Sequence, residues 1–148
     1  GGKGYPCRAI RTEDFLYIHN FEPSRWPAGS PDPEACNRLI PFGEYDSSPT
    51  KTYMIEHQYD HGVAALAHLA FGKRPAEELY RLKDDPHQMN NVAGSKGFEA
   101  IQADLRERLF AHLEKTKDPR VVGGLIEWDY YPHYGRHANK NWKVDERP

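Results

Sequence analysis

A chain of 148 residues suits one domain, yet only 38% of it is hydrophobic and its mean hydropathy is -0.87, low for a self-contained globule, while 12% aromatic content argues against disorder. A formal net charge of -2 and a pI near 6.5, with Lys and Arg scattered, give no basic footprint for nucleic acid or an anionic membrane. No apolar run nears the roughly 20 residues that span a bilayer, and the opening Gly1-Gly2-Lys3-Gly4 lacks the charged start and apolar core of a signal peptide.

Residues 7–12 and 15–21 are β-rich and separated by Glu13-Asp14, which predicts a hairpin. Alternation puts Leu16 and Ile18 on one face and Phe15, Tyr17 and His19 on the other, so both faces of the sheet are expected to be covered. Residues 22–49 hold six of the twelve prolines, with Trp26, Phe42 and Tyr45 among them, and such a long aromatic loop is expected to meet a partner surface. Ser48-Pro49-Thr50 starts a helix by the cap-then-proline rule, and residues 53–71 are helix-compatible with a break near 60–62. Val63, Leu66, Ala67 and Ala70 make a narrow apolar stripe, which Gly72 and Pro75 end.

Residues 78–82 read as a strand entering a turn at Asp84-Asp85-Pro86. From 97 to 115 the spacing of Phe98, Ile101, Leu105, Leu109 and Leu113 predicts an amphipathic helix that must lie on a sheet or another helix. After Asp118-Pro119 periodicity is lost, but Trp128, Tyr130, Tyr131, Tyr134 and Trp142 follow closely. Such rings, worth about 1.5–3 kcal/mol each when buried, are expected to wrap over a larger body. Cys7 and Cys36 permit one disulfide without making a framework.

For chemistry, His57 and His61 are spaced i,i+4 beside Glu56 and Asp60, the geometry of a helical metal site, but no third ligand stands at a recognisable spacing. Two surface histidines are the simpler expectation, and no metal ligand is assigned. Asp84-Asp85, His87 and Asn90-Asn91 are rich in oxygen yet lack the alternation and glycine of a calcium loop, so a structural turn is expected. The run Tyr130-Tyr131-Pro132-His133-Tyr134 can stack a sugar ring, although packing against a neighbouring domain is the commoner use. No phosphate loop, Ser-His-Asp order or nucleophile elbow is found.

Residues 75–93, PAEELYRLKDDPHQMNNVA, place Glu78-Leu79-Tyr80, then Asp85-Pro86, then Asn90-Asn91 ahead of the amphipathic helix. This order resembles the closing segment of sulfatases, with His87-Gln88-Met89 where the family has a glycine or histidine, a glutamate and a variable residue, and Val92 in place of a frequent leucine. Upstream, Tyr5-Pro6, Arg8-Ala9-Ile10-Arg11-Thr12, Leu16-Tyr17-Ile18-His19-Asn20 and Ser48-Pro49-Thr50 are similar to the C-terminal region of the heparan N-sulfatase (sulfamidase) branch. Together these stretches cover about two-thirds of the chain.

The resemblance implies an α+β subdomain spanning residues 1–148, an antiparallel sheet of about four strands with a long amphipathic C-terminal helix packed on it, plus long irregular proline-rich and aromatic-rich segments. It further implies a parent enzyme of the alkaline-phosphatase superfamily that hydrolyses sulfate esters or sulfamates with formylglycine and calcium, exported or lysosomal. The metal ligands, modified cysteine, lysine and histidines of that chemistry lie in an N-terminal catalytic domain, so no catalytic residue or cofactor is expected here and the chain alone is expected to be inactive. Cys7 and Arg11 have the Cys-x-x-x-Arg frame of the sulfatase nucleophile signature, but Ala9 replaces its proline and the pattern is that of a strand. The implied partners are the catalytic domain and, through it, a sulfated small molecule or glycan, with Arg8, Arg11, Tyr131 and His133 expected at the rim of the substrate pocket. Without its partner the chain is expected to expose apolar surface and self-associate. Two other classes stand beside this one: a carbohydrate-binding or interaction module, and a metal-dependent hydrolase built on His57 and His61.

Overall fold

The computed structural model describes residues 4–35 and 40–131. They form two compact units that alternate along the chain: one from Pro6–Pro23 and Pro75–Ile126, the other from Ser24–Arg74 with residues 4–5 and 127–131. The elements are α+β, as expected.

In the first unit, β1 (Cys7–Arg11) and β2 (Phe15–Asn20) make the expected hairpin, with Ala9 opposite Ile18 and Ile10 opposite Tyr17. Its turn is closed by Thr12, whose N–H donates to the Phe15 carbonyl at 2.8 Å and whose hydroxyl accepts from the Phe15 N–H at 3.0 Å. β3 (Glu77–Arg81) adds antiparallel to β2, giving the order β1-β2-β3. α3 (Glu99–Lys115) buries Leu105, Leu109 and Leu113 against Tyr17 and Leu79, with Ile10, Phe15, Phe98 and Ile101 packed around them. The spacing of three and four along α3 is what turns these leucines to one side, and the pleat of β2 and β3 is what turns Tyr17 and Leu79 toward them. On the opposite face of the sheet Asn20, Glu78 and Tyr80 are also buried, so both faces are covered.

Among the described residues the sheet has three strands rather than about four, and the outer edge of β3 shows what stands there instead. The outer edge of β3 is met by Asn91 and Val92: Leu79 N–H donates to Asn91 Oδ1 at 2.8 Å, and Val92 N–H donates to the Leu79 carbonyl at 2.9 Å. One side-chain amide and one backbone N–H thus stand where a fourth strand would pair. α4 (Pro119–Val122) is a short helix that periodicity does not reveal; Asp118 caps it, accepting from Arg120 N–H at 2.9 Å, and Pro119 supplies a first residue that needs no donor.

In the second unit, α1 (Pro49–Glu56) begins at Ser48, whose hydroxyl accepts from Lys51 N–H at 3.1 Å, and ends at His57. The predicted break is present, and α2 (Ala64–Phe71) follows it. The buried stripe of α2 is shifted from the expected one: Ala67 and Phe71 are buried with Val63 and Ala70 beside them, while Leu66 is 56% exposed. The cause is Phe42, whose ring stacks on Phe71 at 4.7 Å and 17°, so the contact face follows positions 63, 67 and 71 and turns Leu66 outward. Thus the proline-rich loop packs part of its aromatic content inside this unit, with Ala28 and Phe42 buried. Lys51 holds it there: its Nζ donates to the Phe42 carbonyl at 2.8 Å and the Tyr45 carbonyl at 2.9 Å. Near the end of the described chain, a 3-10 turn at Glu127–Tyr130 is anchored by Arg25 on Asp129 at 3.1 Å, leaving Trp128 and Tyr131 exposed. Tyr134, Trp142, Cys36 and His133 lie outside the described residues.

Candidate functional site

Of the residues expected at a substrate rim, Arg8 and Arg11 do not share a face of the sheet. They are three apart on β1, so the pleat sends them to opposite faces. Arg8 is engaged by Asp118, with Nε at 2.7 Å and a terminal nitrogen at 2.6 Å from the same carboxylate oxygen. Arg11 is exposed. Tyr131 is exposed and belongs to the other unit, and His133 lies outside the described residues. Cys7 is an exposed thiol on a strand, with Asn20 as its cross-strand neighbour, and does not stand at a helix N-terminus.

His57 and His61 sit in the link between α1 and α2, not on one helical face, so their sequence spacing does not become a shared ligand geometry. His57 instead bonds Asp60 at 2.7 Å and lies against the Tyr53 ring at 4.2 Å. No cluster of three His, Cys, Asp or Glu able to hold a metal occurs among the described residues. In the 84–91 turn, both Asp85 oxygens accept backbone N–H groups, from Met89 at 2.9 Å and Asn90 at 2.8 Å, and these bonds hold its carboxyl below the usual range. Asn91 Oδ1 also accepts from Ala93 N–H at 2.9 Å. Asp85 and Asn91 are therefore occupied by their own chain, as the turn reading requires.

Sequence inspection did not find the most densely bonded group in the first unit. Glu77, on β3, accepts from Tyr17 OH at 2.9 Å and Arg106 Nε at 2.6 Å on one oxygen, and from Gln102 and a second Arg106 nitrogen on the other. His19 Nδ1 lies 3.9 Å away. Burial raises the Glu77 carboxyl, but the bonds from Arg106, Tyr17 and Gln102 outweigh it and hold the group below the carboxylate range. Burial, assisted by Glu77, pushes Tyr17 up to about 12 against the opposing influence of Arg106. Burial likewise pulls His19 below the ordinary histidine value, with Arg106 adding and Glu77 opposing. With about four acceptor positions filled, Glu77 is a structural tie between sheet and helix, not a free base. The available signal was the pair Gln102 and Arg106 at i,i+4, flanking the leucine stripe of α3.

The second unit offers a concavity. A cleft of about 290 Å³ is lined by Trp26, Phe42, Gln58, Tyr59, His68 and Phe71 among others. Its aromatic wall is built and held: Phe42 adopts a φ of 50°, which a bulky residue seldom takes, fixed by its N–H to the Ser30 carbonyl at 2.7 Å, by Lys51 and by the Phe71 stack. At one side Gly72 allows the chain to turn tightly past His68, since a Cβ there would stand 2.5 Å from the His68 carbonyl oxygen and 2.9 Å from its Nδ1. Lys73 places its ammonium 5.0 Å from the centre of the Trp26 ring.

No protein-family model matches this chain. It is similar to an ulvan-active sulfatase of Formosa agariphila, 26% identical over 114 residues. That alignment takes in 77% of this chain but 18% of the relative, so the chain corresponds to under a fifth of the protein it matches. A sulfatase relationship is thereby supported, while the sulfamidase-like branch is not confirmed.

Proposed function

We propose that this chain is a C-terminal, structural part of a larger sulfatase whose catalytic centre lies in a preceding domain. The observation that carries it is the similarity to a sulfatase across 77% of the chain, confined to 18% of that enzyme. The local chemistry agrees: Cys7 is on a strand, Asp85 and Asn91 serve their own backbone, and Glu77 is saturated by donors. The described residues do not fit calcium or a formylglycine nucleophile, and both belong to the catalytic domain on this reading. The parent acts on a sulfate ester or sulfamate of a glycan and is exported or lysosomal.

The test compares the isolated 148-residue chain with the product of the complete open reading frame on a chromogenic aryl sulfate and on an N-sulfated glucosamine. The long product is expected to turn over one of them and the isolated chain neither. Turnover by the isolated chain, or a complete reading frame that has no preceding catalytic domain, would refute the proposal. Preference for the aryl sulfate over the sulfamate would reject the sulfamidase branch alone.

A further inference from the structure

Three features of the cleft in the Ser24–Arg74 unit point to a ligand of one chemical kind. First, Tyr59 is 89% exposed and Trp26 is 37% exposed, and both line the same concavity. Flat aromatic surface left open beside a cleft is the platform on which the apolar face of a pyranose ring stacks. Second, the polar lining is Gln58, His68 and the Tyr59 hydroxyl, with no carboxylate among the described lining residues. Gln58 donates its amide nitrogen to the Ile55 carbonyl at 2.9 Å, so its oxygen is the end left to accept from a hydroxyl. Third, Lys73 is exposed and stands over one face of the Trp26 ring, placing a positive charge next to the aromatic surface that lines the cleft. A volume of about 290 Å³ lies at the small end of ligand sites, the size of a single sugar unit and not of an extended polymer segment.

We infer that this cleft binds one acidic saccharide unit, its ring on Trp26 and Tyr59, its hydroxyls on Gln58 and His68, and its sulfate or carboxylate beside Lys73. The inference stands on the cleft and not on the sulfatase proposal: an inactive chain can bind, and an active parent enzyme can lack this binding.

The experiment titrates the whole chain with three matched tetrasaccharides, one sulfated, one carrying only uronate carboxylates and one neutral, by calorimetry and tryptophan fluorescence. Saturable binding of an acidic member, at least tenfold tighter than the neutral one and weakened by salt, is the expected result. The ratio between the sulfated and uronate members tells which anion the site takes. Tyr59→Ala should weaken binding at least fivefold with an unchanged melting profile, because that side chain is almost wholly in solvent. Lys73→Gln should bring acidic and neutral affinities together, and Trp26→Phe should remove most of the fluorescence change. Absence of saturable binding by all three at millimolar concentration, equal affinity for neutral and acidic members, or binding that Tyr59→Ala and Lys73→Gln leave intact, overturns the inference.

Discussion

Asn91 closes the outer edge of β3 with one side chain, and its removal has a calculable cost. Asn91→Ala deletes two acceptor contacts, from Leu79 N–H at 2.8 Å and Ala93 N–H at 2.9 Å, together with the longer bond that Nδ2 donates to the Glu77 carbonyl. Each acceptor bond contributes about 1 kcal/mol, so these two alone should cost the variant about 2 kcal/mol, the Leu79 N–H bearing the larger share because its residue is fully buried. Asn91→Asp keeps the acceptor oxygens and forfeits only the longer bond from Nδ2 to the Glu77 carbonyl, at 3.3 Å, so its cost should stay under about 1 kcal/mol. Native-state hydrogen exchange resolves this at the right place: the Leu79 amide should exchange about 30-fold faster in the alanine variant, the equivalent of 2 kcal/mol. The Val92 amide, bonded to the Leu79 carbonyl, should follow. If Leu79 exchange changes by less than about threefold, or if aspartate is as damaging as alanine, the edge is not held by this side chain.

Leu105, with 0% of its surface exposed at the centre of the α3 face, should cost about 3 kcal/mol as Leu105→Ala by urea denaturation, and a loss under about 1 kcal/mol would show that the sheet and α3 do not pack as described. Acid should weaken the first unit in two stages. His19 has a folded pKa below its ordinary 6.5, so the unfolded chain binds protons first; its contribution is complete above 6.5 and is lost as pH falls through the folded value. Glu77 is depressed as well, and its contribution, present above 4.5, is lost on further acidification. His19→Phe should flatten the first stage of the urea midpoint against pH and leave the second, while an unchanged first stage would remove His19 from the account. Tyr17 has the opposite sign, its contribution being present below 10 and lost as pH rises toward about 12.

Elements governed by local pattern were legible in the sequence. The leucine spacing of α3, the Ser48-Pro49 cap of α1, the break before α2 and the hairpin at Glu13-Asp14 each express a rule that acts within a few residues, and each is present. What escaped depends on contacts distant in sequence. Leu66 reads as part of the apolar stripe until Phe42, more than twenty residues earlier, stacks on Phe71 and sets which side of α2 faces inward. The fourth strand was implied by the resemblance and not by the residue pattern, which reads three strands, and nothing local announces that an asparagine amide will meet β3 from twelve residues away. Among the candidate site residues, parity on β1 already separates Arg8 from Arg11, and Asp118 as a partner for Arg8 is 110 residues distant. The Trp26 and Tyr59 cleft was equally hidden, since its walls come from the proline-rich loop, the link that follows α1, and α2.

The left-handed backbone at Phe42 has a consequence for how the second unit opens. Such a conformation costs on the order of 1–3 kcal/mol when unsupported, and here the support comes from Lys51 on α1 and Phe71 on α2. The loop residues around Phe42 therefore cannot keep their shape once either helix frays, and a fluctuation of the helices empties the cleft wall with them. Exchange protection at the Phe42 amide and along α1 and α2 should rise and fall as one cooperative unit, although proline-rich loops ordinarily move on their own.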